Sequence, residues 1–262
     1  MQTDPALAQE APRGPLPRVF LGFDPDEIIA CTVARESIAR QTPDVDIRRL
    51  SRITLRDAYT RPTSRQAGTG RLWDDLSDAP MSTEHAIARL FIPWLCDYQG
   101  WALFVDGDIV CRRSLTRLAP YLDERYAVVC VQHPPLLEEG AKKDGAVQLA
   151  YPRKNWSSVM LFNCSHPANR KLDLTLVNTL PGRDLHRFCW LQDEEIGALP
   201  AEWNHLVNVH PPMADPAIVH FTLGVPLLPA HAHDPFSDEW WALAQQTGYR
   251  ITRPARPVEM VG

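Results

Sequence analysis

The chain has 262 residues, 45% of them hydrophobic and 23% charged, and its 27 basic and 32 acidic residues leave a net charge of −5. That size and balance fit one large α/β domain with a full core and exclude the broad basic footprint of a nucleic-acid binder. No apolar run approaches the ~20 residues that span a bilayer, and no basic-then-apolar leader opens the sequence, so the expectation is a cytoplasmic protein with no transmembrane segment. Residues 1–17 lack periodicity and predict a disordered tail, leaving 18–262 as a single domain. Arg18–Phe23 then reads as a first strand, and residues 26–41 as a helix with Ile28, Ile29, Val33 and Ile38 on its apolar side. Asp44–Leu50 alternates weakly as a second strand. The polar stretch from Ser51 to Pro80 is long for a plain connection and predicts a short helix or a lid. Ser82–Leu95 has a helical pattern, with Ser82 at its N-cap and Pro93 marking a kink or restart. Trp101–Val105 is an apolar run suited to a strand buried on both faces. Tyr126–Val131 and Val159–Phe162 are two more apolar runs, separated by a loop-like region over 132–152. Residues 184–198 read as a helix, Ile218–Phe221 as a last strand and Pro235–Gly248 as a closing helix. The six cysteines form no CxxC pair and predict buried free thiols.

Strands alternating with helices favour a mostly parallel sheet covered on both faces, with ligands bound outside the carboxyl ends of the strands. Asp106-Gly107-Asp108 falls at such an end, directly after Trp101–Val105. Two aspartates one residue apart turn both carboxylates to one point if the chain bends at Gly107, which also leaves room for a ligand to approach the backbone. Hard oxygen donors of this kind suit Mg²⁺ or Mn²⁺ completed by phosphate oxygens and water. Asp-Gly is also a common turn dipeptide, so the spacing alone leaves a solvent-facing turn open. His220, after Ile218-Val219, is a second candidate ligand and would favour Mn²⁺ over Mg²⁺, with a hydrogen-bonded structural histidine as the alternative. The glycine-rich signatures of dinucleotide and P-loop sites and the nucleophile elbow of hydrolases are absent.

These features resemble the retaining, metal-dependent glycosyltransferases of the glycogenin and lipopolysaccharide galactosyltransferase group, family 8, which have the GT-A fold. The resemblance runs from about Val19 to Pro226. Val19-Phe20-Leu21-Gly22-Phe23-Asp24 resembles the family's opening strand, whose terminal aspartate contacts the base of UDP. Arg89-Leu90-Phe91-Ile92-Pro93 resembles the helix whose arginine reaches the donor. Phe104–Val110 matches the metal motif, and Asn155 with Ser157 and Ser158 falls in the small-residue segment beside the donor sugar. Leu191-Gln192-Asp193 corresponds to an Asp-Gln-Asp segment, followed in both by Leu199-Pro200 and Trp203-Asn204. His220-Phe221-Thr222-Leu223-Gly224 resembles the carboxyl-terminal segment in which the histidine completes the metal site. Leu191 replaces the family's first aspartate, and Trp156 stands where an asparagine is usual.

The resemblance implies a GT-A-type α/β fold and a hexosyltransferase that moves a sugar from a nucleotide-diphosphate donor, UDP first, to a carbohydrate or other hydroxyl acceptor. It implies Asp106, Asp108 and His220 as ligands of Mn²⁺ or Mg²⁺, with Arg89, Gln192 and Asp193 as the catalytic set. Gly22, Asp24, Gly107, Asn155, Ser157, Ser158 and Gly224 are the implied donor contacts. A sugar-nucleotide pyrophosphorylase and a non-enzymatic nucleotide-sugar-binding protein are the alternatives. Trp156, Trp190 and Trp203 suit either an acceptor groove or the core.

Overall fold

The computed structural model describes residues 17–134, 153 and 155–255. Apart from Pro17 and residues 132–134, the predicted tail and the loop over 132–152 lie outside the described residues. In chain order the strands and helices are β1 (Arg18–Gly22), α1 (Ile28–Gln41), β2 (Ile47–Leu50), α2 (Arg52–Leu55), β3 (Thr63–Arg65), β4 (Leu72–Asp74), β5 (Ala79–Pro80) and α3 (Ile92–Leu95). There follow β6 (Trp101–Val105), β7 (Ile109–Cys111), β8 (Val128–Val131), β9 (Val159–Asn163), α4 (Leu174–Thr179) and α5 (Gly182–His186). The remainder is β10 (Ile196–Leu199), β11 (His205–Leu206), β12 (Ile218–His220) and α6 (Ser237–Ala244).

A mixed central sheet has the order β10-β8-β9-β6-β1-β2. All its strands run parallel except β9, which pairs antiparallel with both β6 and β8. The mostly parallel α/β architecture is therefore as expected. Central β6 is apolar throughout because helices and loops cover both faces: Ala102 and Phe104 pack into one core and Leu103 and Val105 into the other. A third cluster joins α1 to α6 through Val33, Trp240 and Trp241 and reaches Val110 and Val219 beyond them.

Local chemistry sets the ends of α1. Asp24 caps the turn before it by accepting from Asp26 N, Pro25 occupies the first position, and acidic residues fill the first turn. The helix stops at Gln41, just before Thr42-Pro43, where the proline restricts its predecessor. Its buried face runs through Ala30, Cys31, Val33, Ala34, Ser37 and Ile38. Ile28 is exposed instead of inward, because the turn over Pro25–Glu27 rotates the helix start.

Three expectations need correction. Residues 184–198 are not one helix: α5 ends at His186, and Ile196–Leu199 is the edge strand β10. The apolar positions there serve a strand end as readily as a helix face, and parallel pairing with β8 decides between them. The 82–95 segment is likewise broken into turns, a 3-10 helix over Ala88–Phe91 and then α3. Pro93 sits in the first turn of α3, where its missing N–H costs nothing, so it marks a restart. The 51–80 stretch contains α2 and also the small antiparallel sheet β3-β4-β5, which the sequence reading missed. Buried Arg61 anchors that sheet, donating to both carboxylate oxygens of Asp74 at 2.7 Å each. All six cysteines are free, but Cys189 is exposed.

Gly107 is required by a close approach. A Cβ there would stand 2.6 Å from Gly22 O and 2.7 Å from Cys31 Sγ, so the space that suggested ligand access is filled by the protein itself. Gly107→Ala is expected to destabilise the fold by about 1–3 kcal/mol, through overpacking against backbone that cannot swing away, as read by urea unfolding. His133, at the end of β8, is buried, and that burial followed by the nearby imidazoles of His210 and His220 pushes its pKa down to about 3. The unfolded chain takes this proton near pH 6.5, so its stabilising contribution is present above that pH and is lost as pH falls from 6.5 towards 3. Between pH 7 and pH 5 unfolding measurements should lose roughly 2 kcal/mol from this residue, and His133→Gln should flatten the slope accordingly.

Candidate metal centre

The strand directions assemble the site. The carboxyl ends of β1, β6, β8 and β10 share one edge of the sheet, and antiparallel β9 presents its amino end there. Asp24, Asp106, His133 and Asn204 follow those four strands, and Ser157-Ser158 precedes β9. Asp106 N donates to Ser158 O at 3.0 Å, extending the β6–β9 ladder by one step. His220 arrives by a separate route. β7 turns away after Asp106-Gly107-Asp108 and pairs antiparallel with β12, with Ile109 opposite His220. Phe221 N donates to Asp108 O at 3.0 Å and locks that register.

Asp106, Asp108 and His220 each offer one ligand atom, all within 4.8 Å of one another. His220 Nε2 lies 3.0 Å from Asp108 Oδ1 and 3.9 Å from Asp106 Oδ2. Arg89 places Nη2 at 2.8 Å and His85 places Nε2 at 3.2 Å from Asp106 Oδ1. The other guanidinium nitrogen, Nη1, donates to Ser157 O at 2.7 Å, and the guanidinium carbon sits 4.5 Å from the centre of the Phe104 ring. Burial raises the Asp106 carboxyl pKa, but Arg89, then His85 and His220, outweigh it and hold the group well below the usual carboxylate range. Burial lowers the His220 pKa, while Asp108 and then Asp106 outweigh that and raise it. Glu27, at the mouth of the same acidic group, is pushed up to about 7 by surrounding protein and then by Asp108, Asp24 and Asp106.

These residues fit a divalent cation. Asp106 Oδ1 is ion-paired with Arg89 and His85, while Asp106 Oδ2 and the buried Oδ1 of Asp108 turn towards His220 Nε2, so hard oxygens and one imidazole nitrogen converge. His220 Nδ1 is already bonded to Asn204 Oδ1 at 2.9 Å, the outer support that metal-bound histidines have as a rule.

The other predicted residues are placed unevenly. Asp24 Oδ1 accepts from Asp26 N and Oδ2 from Glu84 N, each at 2.9 Å, so this buried carboxylate ties β1 to the segment carrying His85 and Arg89. The bare side of Gly22 is filled by the His85 ring, and Gly224 (φ +145°) by His231. Ser157 Oγ is 2.9 Å from His186 Nδ1, and Ser158 Oγ donates to Asn155 O at 2.7 Å. Gln192 and Asp193 precede the amino end of β10, the opposite edge from Asp106, and both are exposed. Asp193 pairs with Arg153, and Gln192 N bonds to Glu195 within its own turn. His186 reaches the site from that part of the chain instead; burial and the Arg89 charge push its pKa down to about 3. Trp190 and Trp203 are buried in the core, while half-buried Trp156 donates through Nε1 to His133 O.

His85, His133, His186 and Asn204 were missed as site residues. His85 had a legible signal, standing four residues before Arg89, the spacing that puts two side chains on one face of a helical turn. Asn204 was visible only as part of the Trp203-Asn204 pair, His133 is brought in by strand order, and His186 by the end of α5.

No known family model matches the chain. Among solved structures, the bifunctional glycosyltransferase WbbM aligns with 87% of this chain and 51% of its own, at 17% identity and a TM-score of 0.53. The glycosyltransferase GlyE of Streptococcus pneumoniae aligns with 87% of this chain and 60% of its own, at 14% identity and a TM-score of 0.53. This chain thus spans half to three-fifths of those two proteins. The galactosyltransferase LgtC, solved with donor and acceptor sugar analogs, aligns with 91% of this chain and 98% of its own, at 17% identity and a TM-score of 0.50. At such identities the likeness is one of fold, and the fold is the GT-A type. Sequence similarity is much stronger to one protein of Arabidopsis thaliana, matched at 41% identity over 229 residues, which are 85% of this chain and 84% of that protein. The chain belongs to the family of that plant protein, Protein CDI.

Proposed function

We propose that the chain is a metal-dependent glycosyltransferase, moving a hexosyl group with retained configuration from a nucleotide-diphosphate donor, UDP-sugar first, to a hydroxyl acceptor. One observation carries the reading: Asp106, Asp108 and His220 converge, with ligand atoms within 4.8 Å of one another, at the ligand-binding edge of a GT-A-type sheet. The family-8 resemblance of the same segments supports it. A divalent cation held by these three residues, Mn²⁺ or Mg²⁺, supplies positive charge that stabilises a departing diphosphate.

The protein residues around them set geometry and field. Arg89 holds Asp106 and the Ser157 carbonyl together, so the metal motif and the β9 entry segment move as one unit. Its buried charge also raises the local potential where negative charge develops. His186, kept neutral, steadies the Ser157 hydroxyl beside that segment. Holding reacting groups in one arrangement raises their effective concentration. Gln192 and Asp193 remain the proposed sugar-side catalytic residues by family resemblance, and Ser157 is joined to the metal motif through Arg89. The cytoplasmic setting expected from the sequence accompanies this reading; among the described residues, no helix is long and apolar enough to cross a membrane.

Calorimetric titration with UDP should show binding that depends on Mn²⁺ and disappears in Asp106→Asn and Asp108→Asn. Wild-type binding by both variants, or no nucleotide binding at all, would defeat the proposal. Mass spectrometry of UDP-glucose and UDP-galactose incubated with the protein should then detect Mn²⁺-dependent release of UDP, which separates an enzyme from a binding protein. Arg89→Met leaves Asp106 buried without its main cationic partner, and thermal or urea unfolding should show a loss of about 3–5 kcal/mol. Arg89→Lys should recover part of that loss, since it restores the charge but not the two-way bridge.

A further inference from the structure

We propose that Asn204 is a positioning residue that holds the His220 ring with a proton on Nδ1 and with Nε2 towards Asp106 and Asp108. The inference rests on the reading that these three residues take a divalent cation. It follows from the polarity of one buried chain of hydrogen bonds, which starts from a carbonyl that can only accept.

The chain starts at a backbone carbonyl. Asn155 O can only accept, so Ser158 Oγ spends its single hydrogen on it, at 2.7 Å. Ser158 Oγ must therefore act as acceptor towards Asn204, whose Nδ2 lies 2.9 Å away. That fixes the amide: Nδ2 faces Ser158 and, at 2.9 Å, His133 Nε2, while Oδ1 faces His220 Nδ1 at 2.9 Å. An amide oxygen cannot donate, so Nδ1 keeps its proton, and Nε2, 3.0 Å from Asp108 Oδ1, is the nitrogen whose proton a cation displaces to leave the lone pair bare. Reversing the amide would cost the Ser158 Oγ bond to Asn155 O, since the hydroxyl would have to turn to Oδ1, and would drive the His220 proton to Nε2, where a cation would have to displace it.

The surroundings keep the arrangement from relaxing. Asn204 is fully buried, and Ser158, His133 and His220 are also buried, so bulk water does not compensate a reversed amide. The four residues come from the ends of four strands, and parallel pairing of β11 with β12, with Leu206 opposite His220, places Asn204 beside the imidazole. Neutral His133, which accepts from the amide, can meet either polarity by changing tautomer. Ser158 can do so only by turning its hydroxyl away from Asn155 O and giving up that 2.7 Å bond, so it biases the direction.

The test uses Mn²⁺ alone on the full chain, without nucleotide, with free Mn²⁺ counted by electron paramagnetic resonance. Asn204→Leu should weaken Mn²⁺ binding about 10- to 100-fold. Asn204→Asp, which still accepts from Nδ1–H, should recover most of it. Ser158→Ala frees the amide to reverse, and should weaken Mn²⁺ binding by less. In ¹⁵N-histidine spectra of the metal-free protein at alkaline pH, the same variant should enlarge the Nε2-protonated population of His220 relative to wild type. Wild-type affinity in Asn204→Leu, or an Asn204→Asp no better than Asn204→Leu, overturns the proposal. If Asn204→Leu does not fold, unchanged Mn²⁺ affinity and an unchanged tautomer in Ser158→Ala overturn it equally. Asp108→Asn and His220→Ala serve as references. If they too bind Mn²⁺ like wild type, the metal reading has failed and takes this inference with it; if they lose the ion while Asn204→Leu keeps it, only this inference falls.

Discussion

The molecule depends on one half-buried negative charge. Asp106 follows a wholly apolar strand, where an unpaired carboxylate would carry a desolvation cost. Arg89 makes it tenable, and because the same guanidinium also binds the Ser157 carbonyl, the compensation is structural as well as electrostatic. His85 and His220 add to it from opposite sides. Removing either partner leaves the other without its strongest opposite charge, so aspartate and arginine form a single unit. Much of the surrounding packing supports it, including the ring of Phe104 against the guanidinium and the close stacking of Gly22 on His85.

A second layer gives the charge a direction. Asp108 and His220 are held by backbone pairing, through β7 against β12 and the bond from Phe221 N to Asp108 O. The amide of Asn204 and the hydroxyl of Ser158 then order the imidazole from behind. Side-chain bonds alone would leave the ring and both carboxylates free to turn. Strand pairing holds their backbones, and the buried amide holds the ring. The result is a converging set of hard oxygens and one nitrogen with few alternative arrangements, the condition for selective cation binding.

Legibility in the sequence followed the range of the interaction. The Asp106-Gly107-Asp108 motif and the strand before it were plain because both depend on neighbours along the chain. His220 was visible as a polar residue closing an apolar run. The turns of 51–80 were opaque, since a sheet of two- and three-residue strands has too short a period to register, and its anchor is the buried Arg61–Asp74 pair. Gln192 and Asp193 were legible only through motif correspondence; they precede β10, which runs towards the edge that carries Asp106. His186, with no motif around it, reaches the site through Ser157.

The amino-acid sequence by itself determined the local rules: apolar runs that must be buried, a glycine between two acids, a capped and proline-led start to α1, and a composition fit for a large soluble-type core. Those rules select an α/β chain with carboxylates at a strand end. Only the tertiary structure decided which distant groups meet there. The order β10-β8-β9-β6-β1-β2, with β9 reversed, carries Ser158 and Asn204 to the same edge as Asp106. Antiparallel pairing of β7 with β12 sets His220 beside Asp108. The reason is physical: side-chain periodicity encodes which face of a strand is buried, but not which strand lies next to it, and the geometry of the Asp106–Asp108–His220 cluster is a property of neighbouring strands.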